Sequence, residues 1–125
     1  IIPFAASGGA DTFIRLMSAA LAEALGQPIV IENRPGAGAT IGTDFVAKSP
    51  PDGHALLVIS TAQTTNETLL PNRPYVLMRD FTPVAMVNRT NYALVCTPGL
   101  PARNVAELIA HARANPGRLD YASSG

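Results

Sequence analysis

The stretch Ile1-Ile-Pro-Phe-Ala-Ala-Ser-Gly-Gly-Ala-Asp-Thr12 decides how the rest of the chain is read. Its apolar start reads as the tail of a β-strand, and a small, glycine-containing turn then leads into a helix at about Asp11 or Thr12. Such a turn leaves backbone N–H groups pointing into solvent at the positive end of a helix, which makes an anion site. Gly8 and Gly9 allow the close backbone approach and the unusual φ values that such a site needs. Any α/β protein has a turn between its first strand and first helix, so an anion site and a plain connection both stay open here.

Outward from this turn, Phe13, Leu16, Met17, Ala20, Leu21 and Ala24 recur at helical spacing, with Arg15, Ser18 and Glu23 on the other face. Leu25-Gly26-Gln27-Pro28 closes the helix with a glycine stop and a proline beyond it. Ile29-Val30-Ile31-Glu32 is a continuous run that reads as a strand buried on both faces of a parallel sheet. This completes one βαβ unit.

The turn Asn33 to Gly38 leads into an amphipathic segment from Ile41 to Lys48, with Ile41, Phe45 and Val46 as its apolar stripe. Gly36, Gly38 and Gly42 follow a strand and open a helix, which superficially suggests a dinucleotide fingerprint. Their G-x-G-x-x-x-G spacing is wrong for one, and Ile59-Ser60 stands where an acidic residue should end the next strand. A close-packing turn is the better account. Ser49 to Gly53 is a strong turn signal, and His54 to Ile59 is the next buried strand. Ser60-Thr61-Ala62-Gln63-Thr64-Thr65-Asn66 follows it, rich in hydroxyls and amides. Open parallel sheets bind ligands at the carboxyl ends of their strands, so this run faces the same way as Ala6 to Gly9. Ser60 or Thr61 also suits the N-cap of a short helix to Leu70, and one loop can serve both roles.

Pro71 to Asp80 reads as a proline-punctuated connector, and Phe81–Val87 and Tyr92–Cys96 as two more strands. Cys96 ends an apolar strand and reads as a small core residue in preference to a reactive thiol. Asn104 caps a helix carrying Val105, Leu108, Ile109 and Ala112, which stops at Asn115-Pro-Gly117. Leu119 to Ala122 begins one more strand before Ser123-Ser124-Gly125. The chain starts inside a strand and stops just after a fresh one, so it reads as a piece cut at both ends.

The 125 residues suit one domain's worth of core, burying roughly two-thirds of the surface of the unfolded chain. Hydrophobic residues make up 47% and mean hydropathy is +0.19, which fits a packed globular piece. Nine basic residues balance nine acidic ones without any run of like charge. Nucleic acid and anionic membrane surfaces need a basic face, so neither is an expected partner. Anion recognition must therefore be local, through amides and hydroxyls. One cysteine allows no internal disulfide and no thiolate metal cluster. No apolar run approaches the roughly 20 residues of a membrane span.

Catalytic signatures are missing. His54 follows a Pro-Asp-Gly turn and His111 lies on the polar face of its helix, so both read as solvated surface residues. No acid–base carboxylate pair, nucleophile elbow or P-loop is seen. Asn66-Glu-Thr68 and Asn88-Arg-Thr90 match the N-glycosylation pattern, which occurs often by chance and carries no weight. No catalytic residue, metal or cofactor is expected.

Taken together, these motifs resemble the Bug-type extracytoplasmic solute receptors of tripartite tricarboxylate transporters. Residues 3–12 look like the family's P-F-x-x-G-G-x-x-D turn, and residues 25–38 resemble its most recognisable string. Ile41-Gly42 with Pro51-Asp-Gly-His54, Asp80-Phe-Thr-Pro-Val84, and residues 115–125 complete a match from end to end. The resemblance implies an α/β, periplasmic-binding-protein-like lobe, a mostly parallel sheet flanked by helices, crossing toward a second lobe that is mostly missing. Residues 1–101 would form the first lobe, without the start of its first strand. Residues 102–125 would be the crossover helix and the truncated start of the second lobe.

By the same resemblance, ligand contacts fall on Phe4, Ala5, Ala6, Ser7, Gly8 and Gly9, on Ser60, Thr61, Gln63 and Thr64, and on Ser123, Ser124 and Gly125. Ser7 stands where the family commonly has glycine, and Ala62-Gln63 where a hydroxyl or histidine is frequent. Asp11 cannot sensibly touch a carboxylate; it would cap the helix or meet an ammonium if the ligand is an amino acid. The expected partners are a small organic anion (a di- or tricarboxylate, amino acid or aromatic acid) and membrane transporter subunits, in the periplasm. A neutral protein can hold a carboxylate this way because charge-assisted hydrogen bonds are roughly twice as strong as neutral ones. The competing readings are an α/β enzyme with its catalytic residues further along the chain, and a stand-alone interaction domain. A cut lobe also exposes sheet edge, so self-association is expected.

Overall fold

The structure, a computed structural model, describes residues 1–89 and 91–122. It forms two compact units, Ile1–Pro83 and Val84–Gly125.

In the first unit three extended segments run side by side. The Ile2 N–H donates to the Glu32 carbonyl at 2.8 Å, and the Ile2 carbonyl accepts from the Arg34 N–H at 2.9 Å. That is the pattern of a parallel bridge, here between Ile2 and Asn33. On the other side the Ile1 ammonium donates to the Leu56 carbonyl at 2.6 Å. The Ile1 carbonyl accepts from the Val58 N–H at 3.0 Å, so this neighbour is parallel too. The first segment therefore lies in the middle, with Ile2 and Pro3 fully buried.

Among the described residues the pairing stops there, and no multi-residue strand forms. The expected strands at 29–32 and 54–59 are extended but are not buried on both faces: Val30 is 85% exposed and Leu56 53%. Double burial needs a covering layer on each side of a sheet, and the helices of this unit leave these side chains uncovered.

Helix α1 spans Gly9–Leu25 and so begins two or three residues before the expected start at Asp11 or Thr12. Gly26 ends it in the left-handed region at φ 65°. Its N–H bonds the Glu23 carbonyl and that of Gln27 bonds the Ala22 carbonyl, the Schellman arrangement the glycine stop implies. The buried face differs from the apolar stripe in the sequence. Leu16 is 78% exposed, whereas Asp11 is 3% exposed. Hydrogen bonds to the Asp11 carboxylate turn that face of the helix inward.

Helix α2, Thr40–Ala47, likewise buries Gly42, Thr43 and Val46, while Ile41 and Phe45 of the expected stripe are exposed. Gly42 decides this. A Cβ there would stand 2.7 Å from the Arg34 carbonyl oxygen and 2.8 Å from the Pro3 Cβ. The bare backbone of α2 thus presses on the first and second segments, as a close-packing glycine implies. Phe45 instead carries the Arg34 guanidinium 3.7 Å above its ring.

Helix α3, Thr61–Leu69, has Ser60 as its N-cap, as the sequence suggests. The connector that follows contains a short helix α4, Leu77–Asp80, and a buried anchor the sequence reading missed. Tyr75 is 0% exposed and meets Phe81 edge to face, with ring centroids 6.3 Å apart.

The second unit is built on α5, Val105–Ala114, whose Asn104 cap accepts the Glu107 N–H at 3.0 Å. Residues 84–89, 91–96 and 119–122 form no strand. Cys96 is exposed, which corrects its reading as a core residue. Its neighbours Leu94 and Val95 are 73% and 82% exposed, so no layer packs over that segment within this unit.

Candidate functional site

The turn between the first segment and α1 is shaped by one left-handed residue and one carboxylate. Ser7 has φ 66°, a region that residues with a Cβ visit at a cost. Gly8 then takes extended backbone as the N-cap of α1. The Ser7 N–H donates to Asp11 Oδ2 at 2.8 Å, so the helix reaches back and fixes the turn that precedes it.

Asp11 is the hub. Arg15 Nε donates to both of its oxygens at 3.0 Å, and Asn33 Nδ2 donates to Oδ1 at 2.9 Å. The bond from Arg15, then that from the Ser7 amide, lowers the Asp11 pKa from 3.8 to about 2, against the opposing effect of burial. The carboxylate is thus ionised, and Arg15 neutralises it. Asn33 closes the network by donating to the Phe4 carbonyl at 3.2 Å and accepting from Arg15 Nη2 at 2.9 Å.

With the Ser7 amide spent, the donors left for a ligand are those at the head of α1. Thr12 is the first to bond back, to the Gly8 carbonyl at 2.9 Å. The N–H groups of Gly9, Ala10 and Asp11 have no partner within the helix. Gly9 is exposed, and a Cβ built on it meets nothing within 4 Å. Packing does not require this glycine. The helix macrodipole adds positive potential at the same place.

Because the 1–3 and 54–59 segments are parallel and adjacent, their following loops leave from the same end. Ala6–Gly9 and Ser60–Thr64 therefore share one rim of the first unit. Their chemistry differs from the simple expectation of a row of ligand donors. Ser60 and Gln63 form a capping box: Ser60 Oγ accepts the Ala62 N–H at 3.1 Å and Gln63 Oε1 accepts the Ser60 N–H at 3.0 Å. Gln63 is 0% exposed. Thr61 and Thr64 are exposed on the first turn, the Thr64 hydroxyl donating to the Thr61 carbonyl at 2.9 Å. Phe4 is half-buried, and Ala5, Ala6 and Ser7 are exposed. Ser123, Ser124 and Gly125 lie outside the described residues.

An open depression of about 490 Å³ adjoins the turn, lined by Ala6, Ser7, Asp11, Thr12, Arg15 and Leu16. None of Ser60, Thr61, Gln63 or Thr64 lines it. A second depression of about 510 Å³ includes Gly38, Asn66 and Arg73. Two of its polar side chains are engaged, Asn66 Nδ2 with the Gly38 carbonyl at 2.7 Å and Arg73 Nε with Glu67 at 3.0 Å, whereas the buried Thr40 hydroxyl has no partner. Arg15 and Asn33 were absent from the residues the sequence singled out. The i, i+4 spacing of Asp11 and Arg15 was a usable signal for one of them. Among the described residues no group of three or more His, Cys, Asp or Glu side chains could hold a metal. No helix there is long and apolar enough to cross a membrane.

Residues 13–125 match the family described as Tripartite tricarboxylate transporter family receptor. Protein BugT of Bordetella pertussis is 40% identical over 124 residues, covering 98% of this chain and 38% of that protein. A UPF0065 protein from the tcbD-tcbE intergenic region of Pseudomonas sp. strain P51 is 38% identical over 125 residues, covering all of this chain and 37% of the relative. The chain thus spans less than two-fifths of the length of these curated relatives. A turn that follows the P-F-x-x-G-G-x-x-D pattern except at Ser7, a balanced formal charge and this end-to-end likeness converge: the chain belongs to the tripartite tricarboxylate transporter receptor family.

Proposed function

We propose that this chain contributes the first-lobe half of a periplasmic solute receptor, which captures a small carboxylate-type anion and delivers it to the membrane subunits of a tripartite transporter. Family membership supports a periplasmic-binding-protein-like α/β fold and a binding role. The mostly parallel sheet, the lobe boundary near residue 101 and the self-association of the isolated piece belong to the same proposal.

One observation carries the reading. The exposed head of α1, with Gly9 open above it, stands at the end toward which three parallel segments run. Glycine at a helix start that neither turns nor packs leaves room for a ligand atom to approach the amides closely. Thr61 and Thr64 lie exposed on the same rim, while Ser60 and Gln63 act from beneath by holding α3 in place. A di- or tricarboxylate, an amino acid or an aromatic acid each offers the carboxylate this grip requires.

The test is calorimetry of the intact gene product containing this chain against succinate, citrate, aspartate and benzoate. Saturable binding of at least one, with the compound recovered unchanged, is expected. Flat traces across carboxylates of all these types, or turnover of any of them, would count against the receptor reading.

A further inference from the structure

Asn33 lies 29 residues from Phe4 and 22 from Asp11 in sequence, yet its side chain touches both. The Nδ2 group gives one bond to the Phe4 carbonyl at 3.2 Å and one to Asp11 Oδ1 at 2.9 Å, and Oδ1 takes one from Arg15 at 2.9 Å. This pattern needs two donors and an acceptor on a short side chain. Aspartate supplies acceptors only, and leucine supplies neither. The same residue is bridged to Ile2 through its backbone, so it anchors the turn to the parallel segments.

We propose that Asn33 is the positioning residue of the anion grip: it fixes the Phe4–Gly8 turn and keeps Arg15 on Asp11, so that the amides at the head of α1 meet the anion in a set geometry. The inference rests on the receptor reading and extends it to a residue outside the turn. Its electrostatic part is specific. Asp11 carries a negative charge at the start of the helix that must attract an anion, and only while Arg15 stays on it is that charge offset. Without Asn33, Arg15 loses one of its anchors and the turn loses its tie to the second segment. Preorganised donors hold an anion better than donors that must be ordered on binding.

Substituting Asn33→Asp tests this through pH. It places a carboxyl against Asp11, and a like-charged pair raises the pKa of one member. The charged groups facing the site are Asp11 and Arg15 from α1, with Glu32 and Arg34 flanking on the same segment and paired to each other at 2.7 Å. The Ile1 ammonium stands within electrostatic reach of Glu32. None of these supplies a second proton donor to the Phe4 carbonyl. At pH 7.5 the variant should bind the tightest of succinate, citrate, aspartate and benzoate at least about tenfold more weakly than wild type. Near pH 5 the introduced carboxyl takes up a proton, which removes the like-charge repulsion and restores one of the amide's two donations, so the ratio should be smaller than at pH 7.5. Asn33→Leu should lose affinity at both pH values. Should Asn33→Leu fail to fold, Asn33→Asp at pH 5 carries the test.

Amide exchange separates this inference from the receptor reading. Exchange at the Ser7 N–H, referenced to α3 amides, should be faster in Asn33→Asp than in wild type at pH 7.5, whether or not any probe binds. Equal Ser7 exchange, or a loss of affinity that is the same at both pH values, would overturn the positioning role. A wild-type protein that binds none of the four probes, with Ser7 exchange still accelerated in the variant, would remove the receptor reading and leave Asn33 as the anchor of the turn.

Discussion

The carboxylate of Asp11 accepts the backbone N–H of Ser7 at 2.8 Å, so the acidic residue of the turn faces back onto the loop and not outward to a ligand. Both of its oxygens are occupied, by Ser7, Arg15 and Asn33. The N-cap of α1 is Gly8, with no side-chain cap bond, so Asp11 does not cap the helix as the sequence suggested; its bond to the Ser7 amide holds the turn before the helix.

That frame is acid-sensitive in a defined window. The folded-state pKa of Asp11 is about 2 against an ordinary 3.8. Asp80 is likewise at about 2, through the Arg79 guanidinium first and the Val76 amide second. A depressed carboxyl contributes stability that is fully present above its unfolded pKa and is lost as pH falls through the folded one. The melting temperature should therefore drop between about pH 4 and pH 2. Asp11→Asn should melt lower than wild type at pH 7 and change less across that interval. Melting curves by circular dichroism at several pH values check both.

Ser7 occupies the left-handed region at φ 66°. The strain of a side chain there is about 1 kcal/mol, and glycine removes it, partly offset by the greater freedom glycine has when unfolded. Ser7→Gly should raise stability by up to about 1 kcal/mol, and Ser7→Val should lower it. Urea unfolding of the two variants reads the difference.

Two glycines of similar appearance should respond in opposite ways. At Gly42 a methyl group meets the Arg34 carbonyl oxygen at 2.7 Å, a backbone atom that cannot swing aside. Gly42→Ala should cost about 1–3 kcal/mol despite the better helix propensity of alanine. At Gly9 the same change meets open space, and the helix start should be unharmed. Parallel chemical denaturation of the two variants tests the contrast.

Ser60 separates cap from contact. Its side chain accepts from the Ala62 N–H at 3.1 Å, and Gln63 completes the box. Ser60→Ala should cost about 1 kcal/mol of stability, the usual worth of an N-cap. Thr64→Ala, which removes only an exposed hydroxyl donating to the Thr61 carbonyl at 2.9 Å, should cost less than Ser60→Ala, which melting curves of the two variants would resolve.

The contrast between caps and faces shows what the sequence made legible. Ser60, Asn104 and Gly26 were readable because capping is chemistry between residues a few positions apart, and such signals do not depend on the rest of the fold. The buried faces of α1 and α2 were not. Hydropathy put Leu16, Ile41 and Phe45 inward, but the Asp11 network and the backbone contact at Gly42 set the rotation of each helix instead. Those contacts join residues far apart in sequence, as do the bonds of Asn33. Tyr75, fully buried in a proline-rich connector, escaped for the same reason. The Ala6–Gly9 turn into α1 was legible, whereas what holds it was not.

The proposed contact is between an anion and the amides at the head of α1, in the space that Gly9 leaves open. Its most direct measurement is a calorimetric titration of wild type and Gly9→Ala, both as the intact gene product, with the tightest-binding of succinate, citrate, aspartate and benzoate. Melting temperatures are taken on the same samples. Gly9→Ala should melt at or above wild type and bind at least about tenfold more weakly. Equal affinity in the two proteins, at equal stability, would contradict it.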